Sequence, residues 1–161
     1  MNAGCCGTRS PGPEDEAVIV DIVTAVAPPQ GGFIEVSLRD HEPVRLDEAR
    51  ILTTAHLSFL QTSRDYKTAV YLEIDPATRV IDEVLAPYDS PVLSVNEQAD
   101  RAEVLLVYSA AYHFLLRSHP DYARMISDLR SSVEHGNNLL ITESRDEHFI
   151  IDVRDPLPER N

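Results

Sequence analysis

Hydrophobic and polar residues alternate in several short stretches of the chain, and this alternation predicts strands. The β-branched stretch "AVIVDIVTAVA" leads through "PPQGG" into "FIEVSL", in which apolar Ile34, Val36 and Leu38 occupy every second position. Two strands joined by a proline- and glycine-rich turn form a hairpin. Strand and turn signals recur in this combination, so hairpins are predicted over residues 17–38, 68–87 and 138–154.

Two other stretches have apolar residues at spacings of three and four, and this spacing predicts helices. Between residues 47 and 63 these side chains fall on one helical face, and Asp47 stands where an N-cap residue is expected. A second helix is predicted over residues 120–134, because it starts at Pro120 and stops before Gly136.

A third helix is predicted over residues 95–117. Ser94 precedes Glu97 by three residues, which is the spacing of a capping box at a helix start. From Val104 to Leu116 the stretch is apolar nearly all round, and such a helix must be covered on most sides, as a central core element is. The alternative is a pair of strands through "VLLVY" and "YHFLL", because short apolar runs do not distinguish the two structures.

Residues 56–87 resemble residues 125–156 when one segment is laid over the other without a gap, at an offset of 69 positions (125 minus 56). Six of the thirty-two positions are identical, where roughly two would be expected from typical residue usage. The identical pairs are Ser58 with Ser127, Leu60 with Leu129, Ser63 with Ser132, Ile81 with Ile150, Val84 with Val153, and Pro87 with Pro156. Apolar positions coincide as well, which predicts a pseudo-duplicated α-β-β unit. The alternative is that any two α-β-β segments look alike in this way.

These elements together predict an α+β fold, built of antiparallel hairpins and about three helices, with the pseudo-duplicated α-β-β unit around a shared core. Helix 95–117 would bridge the two copies. A chain of 161 residues that is 43% apolar can bury one ordinary core, so a single domain is predicted over residues 17–155. Residues 1–16 are predicted to be a disordered tail, because they cannot bury enough apolar area, and residues 156–161 a C-terminal tail.

The composition is strongly acidic, with 27 acidic against 14 basic residues and a formal net charge of -13. Such a charge repels phosphate backbones and anionic membrane surfaces, which argues against direct nucleic-acid binding and against membrane association. The absence of a long apolar run and of a basic, apolar leader predicts a cytoplasmic protein. The acidity itself has two explanations, a functional acidic surface or a GC-rich or salt-rich source.

The residues that most often hold metals show no ligand spacing in this sequence. The two cysteines, Cys5 and Cys6, are adjacent and predict free thiols rather than a disulfide. The six histidines follow no metal-site motif. They are His41, His56, His113, His119, His135 and His148. The sequence also lacks glycine-rich phosphate loops and nucleophile elbows, so no metal and no cofactor are predicted.

The best candidates for catalytic chemistry are His113, Tyr112 and Tyr108, on the predicted central helix. A histidine there is able to act as a general base with Tyr112 as a donor. The alternative is that both tyrosines are ordinary core residues whose hydroxyls reach the rim. The carboxylates within residues 74–83 and 144–155 are interpreted as solvated hairpin tips, with cation binding or acid–base work by paired acids as the alternative.

Missing catalytic motifs and strong acidity favour a protein-interaction module with a regulatory or inhibitory role. Its expected partner is another protein, or a second copy of the chain in a homodimer. A first alternative is a small-molecule-binding protein or enzyme with a pocket beside helix 95–117. A second alternative is an inhibitor that mimics nucleic acid with regularly spaced acidic residues.

Overall fold

The computed structural model describes residues 17–50 and 52–160. Within these ranges the chain forms eleven strands in three mostly antiparallel sheets, together with two helices. In chain order the elements are β1 (Val18–Val26), β2 (Phe33–Leu38), β3 (Val44–Asp47), α1 (Thr53–Tyr66), β4 (Ala69–Ile74), β5 (Ile81–Leu85), β6 (Tyr88–Ser90), β7 (Val92–Glu97), β8 (Arg101–Leu106), β9 (Ser109–Leu116), α2 (Tyr122–His135), β10 (Leu139–Glu143) and β11 (Ile150–Arg154). The predicted tail at residues 1–16 lies outside the described residues.

The predicted fold class is wrong, because the described part of the chain is mostly antiparallel sheet and has two helices instead of about three. The predicted helix 95–117 is replaced by the antiparallel strands β7, β8 and β9. In β8 the buried residues Ala102, Val104 and Leu106 alternate with less buried ones, which is the two-residue period of a strand covered on one face. No helix therefore bridges the two segments that were predicted to be copies of one α-β-β unit.

Ser94 and Glu97, the two residues of the predicted capping box, make other contacts in the structure. The carboxylate of Glu97 accepts a hydrogen bond of 2.8 Å from the Tyr122 hydroxyl and pairs with Arg117 at 3.5 Å. It thus contacts α2 and the end of β9. Ser94 lies in β7 opposite Leu105 of β8. Glu97 therefore contacts residues that are distant in the sequence and does not cap a helix.

The described chain divides into two compact units. The first consists of residues up to Lys67 together with Leu72–Val84, and the second of Thr68–Tyr71 together with residues from Leu85 onward. The five-stranded sheet has the order β3-β2-β1-β4-β5, and α1 packs on it against β1 and β3. Gly31 and Gly32, both with positive φ, form the turn between β1 and β2, where side chains other than glycine are strained.

Helix α1 begins later than the predicted start at residue 47. Residues Val44–Asp47 pair with β2 as strand β3 instead, and the Asp47 carboxylate accepts a hydrogen bond from the Ala49 amide at 2.9 Å in the following turn. The helix ends at Lys67, which adopts a left-handed conformation with φ of 53°. The first residues of this segment therefore form a strand because they pair with β2, and the later residues, which have helical periodicity, form the helix.

The second unit holds two three-stranded sheets, with orders β7-β8-β9 and β11-β10-β6, and helix α2 packs against β7, β9 and β11. Apolar side chains from both sheets and from α2 form one core. Its buried members are Val92, Ala102, Val104, Leu106, Leu115, Met125, Ile126, Leu129, Leu139, Ile141, Ile150 and Val153. Neither helix of the described residues has the length and hydropathy needed to cross a membrane.

Both units contain the element order β-β-β-α-β-β. Helices α1 and α2 begin and end 69 positions apart, as do β5 and β11. In the first unit the Arg45 amide donates to the Arg79 carbonyl at 3.0 Å, and in the second the Phe114 amide donates to the His148 carbonyl at 2.7 Å. Phe114 and His148 lie 69 positions after Arg45 and Arg79, so the two units can be compared residue by residue.

Candidate functional site

Strand β9 sends its side chains alternately to two faces, and this alternation separates the residues singled out from the sequence. Ser109 and His113 lie on the inner face, four residues apart, and the His113 side chain is 0% exposed. Tyr112 lies on the outer face and is 54% exposed, and Tyr108, in the preceding turn, is 72% exposed. His113 and Tyr112 therefore do not face one pocket, and the helix beside which a pocket was predicted is absent.

A carboxylate from the neighbouring sheet of the second unit meets His113. Glu143 ends strand β10, and its Oε2 lies 2.6 Å from His113 Nδ1. Its other oxygen, Oε1, lies 3.0 Å from His148 Nδ1 and accepts a hydrogen bond of 3.1 Å from the Tyr88 hydroxyl. Glu143 thus joins two imidazoles and a phenol, and we call Tyr88, Ser109, His113, Glu143 and His148 the histidine cluster.

Backbone pairing places the other members of the histidine cluster. The amide of Phe114, next to His113, donates to the carbonyl of His148, which brings the two histidines side by side. Their ring centroids are 5.6 Å apart with an edge-on geometry. Tyr88 pairs with Ile141, two residues before Glu143, and its ring meets the His113 ring edge-on at 5.1 Å.

Both nitrogens of His113 have side-chain partners. An ionised carboxylate can only accept hydrogen bonds, so Nδ1 carries the proton that is shared with Glu143. Nε2 lies 3.0 Å from the Ser109 hydroxyl oxygen, which donates to it when the imidazole is neutral. The buried ring is therefore fully hydrogen-bonded, by side chains rather than by the backbone.

The acid–base properties of the histidine cluster follow from these contacts. Burial raises the pKa of Glu143, but the hydrogen bonds from His113, His148 and Tyr88 and the His113 charge lower it further, so that the net pKa lies below its ordinary value. Burial raises the pKa of Tyr88, and the negative charge of Glu143 adds to this effect. Glu143 is therefore ionised and Tyr88 neutral at pH 7.

Two kinds of chemistry can use this arrangement. Ser109, His113 and Glu143 follow the order of a nucleophile, a base and an orienting acid. That chemistry also needs donors for an oxyanion, and the Ala111 amide, which lies beside the Ser109 hydroxyl, already donates to the hydroxyl oxygen at 3.4 Å. A metal ion is the other use, because ligand atoms of His113, Glu143 and His148 all lie within 4.8 Å of one another.

The sequence pointed to one member of the histidine cluster, His113, and missed Tyr88, Ser109, Glu143 and His148. Two local signals were present: the four-residue spacing of Ser109 and His113 within one strand, and the pair Glu143 and His148 on either side of a short turn. His119, six residues after His113, does not belong to this cluster. His119 instead accepts a hydrogen bond from the Asp121 amide at 3.1 Å, at the start of α2.

The histidine cluster is specific to the second unit. The positions 69 residues before His113, Glu143 and His148 hold Val44, Ile74 and Arg79. Val44 and Ile74 are buried apolar residues, and the Arg79 guanidinium donates to the Pro43 carbonyl at 3.0 Å. The shared element order therefore does not by itself require polar residues at these positions.

The outer face of the β7-β8-β9 sheet, together with the turn that joins β8 to β9, carries a group of exposed apolar residues. Besides Tyr108 and Tyr112 it carries Leu93, which is 60% exposed, Val107, which is 48% exposed, and the partly exposed Leu105. Strand register places Leu105 directly beside Tyr112. We call these five residues, Leu93, Leu105, Val107, Tyr108 and Tyr112, the tyrosine face.

Comparisons with known proteins leave the family of this chain open. No protein-family model matches the sequence, and no curated protein matches it. Among solved structures, the crystal structure of pro- protein-glutaminase is similar over 46% of this chain and 26% of that one, with 16% identity and a TM-score of 0.42. A mutant of the same protein is similar over the same shares at 15% identity, also with a TM-score of 0.42. The chain thus spans about a quarter of the length of these structures, and the likeness is too distant to carry a functional argument.

Proposed function

We propose that this protein is a cytoplasmic protein-interaction module with a regulatory or inhibitory role, and that the tyrosine face binds a basic protein partner. One observation carries the proposal. Eight large apolar side chains are exposed among the described residues, and four of them, Leu93, Val107, Tyr108 and Tyr112, lie in this one sheet or in its β8–β9 turn. The other four are distributed over β1, α2 and the neighbourhood of α1.

Clustered exposed apolar residues mark interaction surfaces, whereas single ones are normal on any protein. Tyrosine is enriched at interfaces, because its ring buries a large area at low entropic cost and its hydroxyl keeps a polar partner. Tyr108 and Tyr112 expose most of their surface before any partner binds. They are therefore the expected anchors of the interface.

The net charge selects the chemistry of the partner. Residues 1–84 carry 14 acidic and 7 basic residues, and residues 85–161 carry 13 and 7, so both halves of the chain are acidic. A field of this sign accelerates association with a basic protein and slows association with an acidic one. The even spread of the charge along the sequence gives no support to a nucleic-acid mimic, which needs the acidic residues ordered along one face.

The test compares the double variant Tyr108→Ala/Tyr112→Ala with the wild-type protein and with Tyr66→Ala. Tyr66 is a matched control, because it is 77% exposed but lies at the end of α1, away from the tyrosine face. The immobilised proteins are exposed to extract from the source cells, and bound proteins are identified by mass spectrometry. If each tyrosine contributes about 1–2 kcal/mol, the double variant binds the partner at least about tenfold more weakly.

The wild-type protein and Tyr66→Ala should retain the same basic protein, and capture should weaken as salt rises. Equal capture by all three proteins would overturn the proposal. So would capture of an acidic protein, or of any partner whose yield does not change with salt. Sedimentation analysis covers the homodimer: a wild-type dimer that becomes monomeric in the double variant would assign the tyrosine face to self-association.

A further inference from the structure

We propose that His113, Glu143 and His148 bind a divalent transition-metal ion of the zinc class. This site is independent of the tyrosine face, since it uses the opposite side of β9. Imidazole nitrogen and carboxylate oxygen are the ligands that zinc prefers beside thiolate. The geometry, burial and charge of the histidine cluster each favour such an ion.

The ligand atoms are close to the separation that an ion requires. Zinc bonds of about 2.0–2.1 Å at a tetrahedral angle place neighbouring ligand atoms about 3.4 Å apart. In the structure His113 Nδ1 and His148 Nδ1 lie 2.6 and 3.0 Å from the Glu143 oxygens, and the whole set lies within 4.8 Å. Shifts of less than about 1 Å therefore convert the shared hydrogen bonds into bonds to one ion.

The ion takes the positions of the two Nδ1 protons that Glu143 shares with the imidazoles, and exchange with solvent returns one proton to Nε2 of each ring. Each neutral imidazole then binds through Nδ1 and carries its proton on Nε2. For His113 this proton points to the Ser109 hydroxyl oxygen, which accepts it at 3.0 Å. Ser109 is thus the outer partner that fixes the tautomer and the ring orientation of a metal-bound histidine.

Two of the three ligands lie inside the protein, and the third faces solvent. His113 is fully buried, and the Glu143 side chain is 14% exposed. His148 is 55% exposed, so an ion reaches the cluster from solvent on its side. Three protein ligands leave a fourth position for water or for the Tyr88 hydroxyl, which lies 3.1 Å from Glu143 Oε1.

Charge also favours a cation at this position. Two neutral imidazoles and one carboxylate give the site a charge of -1, which a divalent ion changes to +1. The net charge of the whole chain is -13, so its field attracts cations. The corresponding positions of the first unit, Val44, Ile74 and Arg79, offer neither an imidazole nor a carboxylate, and this unit is expected to bind no ion there.

The test is calorimetric titration of the full-length, tag-free protein with zinc chloride at about pH 7.5, where free imidazoles are neutral. The protein is first treated with EDTA and dialysed. Cys5→Ser and Cys6→Ser form the background of every sample, because adjacent thiols also bind zinc. We expect one equivalent of zinc per chain.

His148→Ala and Glu143→Gln should each weaken zinc binding by at least about tenfold. His135→Ala is the matched control, because it removes an exposed histidine from the same unit and should leave the affinity unchanged. Cobalt substitution gives a second readout, since a low-symmetry nitrogen and oxygen site produces a visible absorption band that His148→Ala should abolish. Circular dichroism verifies that the exposed position 148 tolerates alanine.

The proposal is overturned if the protein shows no saturable zinc binding. It is also overturned if His148→Ala and Glu143→Gln bind zinc as tightly as His135→Ala, which would assign the ion to adventitious surface sites. Neither result bears on the tyrosine face. The two proposals therefore fail or stand separately.

Discussion

At the scale of single residues, burial decides which polar groups matter. Ser63 and Ser132 occupy positions 69 apart in α1 and α2, and both side chains are almost completely buried. The Ser132 hydroxyl donates to the Asn137 carbonyl at 2.6 Å and accepts from the Val92 amide at 2.9 Å. The Ser63 hydroxyl has no hydrogen-bond partner among the described residues. The two serines occupy corresponding positions in the two helices, but hydrogen bonds satisfy the buried hydroxyl of Ser132 and not that of Ser63.

This contrast leads to a paired prediction. Ser132→Ala leaves the buried Val92 amide without a partner and removes the donor to the Asn137 carbonyl, and should lower the free energy of unfolding by about 1–3 kcal/mol. Ser63→Ala removes a hydroxyl that is buried without a hydrogen bond, and should be neutral or stabilising. Urea denaturation of both variants measures the difference. Equal losses in the two variants would contradict the assigned hydrogen bonds.

Glu143 determines a second prediction, on pH dependence. Its pKa is lower in the folded chain than in the unfolded chain, because His113, His148 and Tyr88 stabilise the charged form against burial. A lowered pKa gives stability that is present above the unfolded value and is lost as pH falls through the folded value.

Glu143→Gln should therefore be less stable than the wild-type protein by about 1.5–3 kcal/mol at pH 7, because hydrogen bonds to a charged group are lost. The difference should shrink below about pH 4, where the unfolded wild-type carboxyl is itself protonated. Urea midpoints at pH 7 and pH 3, measured with EDTA present, give the comparison. A difference that stays constant over this range would show that the charge of Glu143 is not responsible.

At the scale of elements, both helices end in the same way with different residues. Gly136 follows α2 with φ of 71°, and Lys67 follows α1 with φ of 53°. The left-handed conformation is free of strain for glycine and costs about 1 kcal/mol for a residue with a Cβ atom. The C-cap of α1 is therefore the weaker of the two.

Lys67→Gly should raise the free energy of unfolding by a few tenths to about 1 kcal/mol, and Gly136→Ala should lower it by about 1 kcal/mol. Both residues are exposed, so changes in packing contribute little. Thermal unfolding of the two variants tests the signs. A loss of stability in Lys67→Gly would mean that the lysine side chain contributes more than its backbone strain costs.

The elements also show where periodicity is reliable. Helix α2 and the three predicted hairpins occur where the apolar spacing placed them, since each has clear turn or cap residues at its ends. In residues 92–116 the capping-box spacing was misleading, and "VLLVY" is apolar at every position and so has no period. Helix and strand bury such a run equally well, and only pairing with neighbouring strands selects one of them.

At the scale of the whole molecule, the two units share one element order, but the residues of both proposed sites occur in the second unit alone. The offset of 69 positions matches α1 with α2 and β5 with β11, but the polar residues of the histidine cluster occur only in the second unit. The tyrosine face belongs to the second unit as well. Both proposals therefore concern residues after 87, and variants of α1 serve as internal controls.

The sequence by itself determined the apolar positions, the hairpin turns, the helix α2 and the offset that relates the two halves, because these depend on neighbouring residues. Tertiary structure alone decided that residues 92–116 are strands, since strand hydrogen bonds require partners from other segments. It also decided the histidine cluster: Tyr88 comes from β6, Ser109 and His113 from β9, Glu143 from β10, and His148 from the turn after β10. They meet because the sheets bring distant backbone segments into register, and such long-range pairing leaves no periodic signal in the chain.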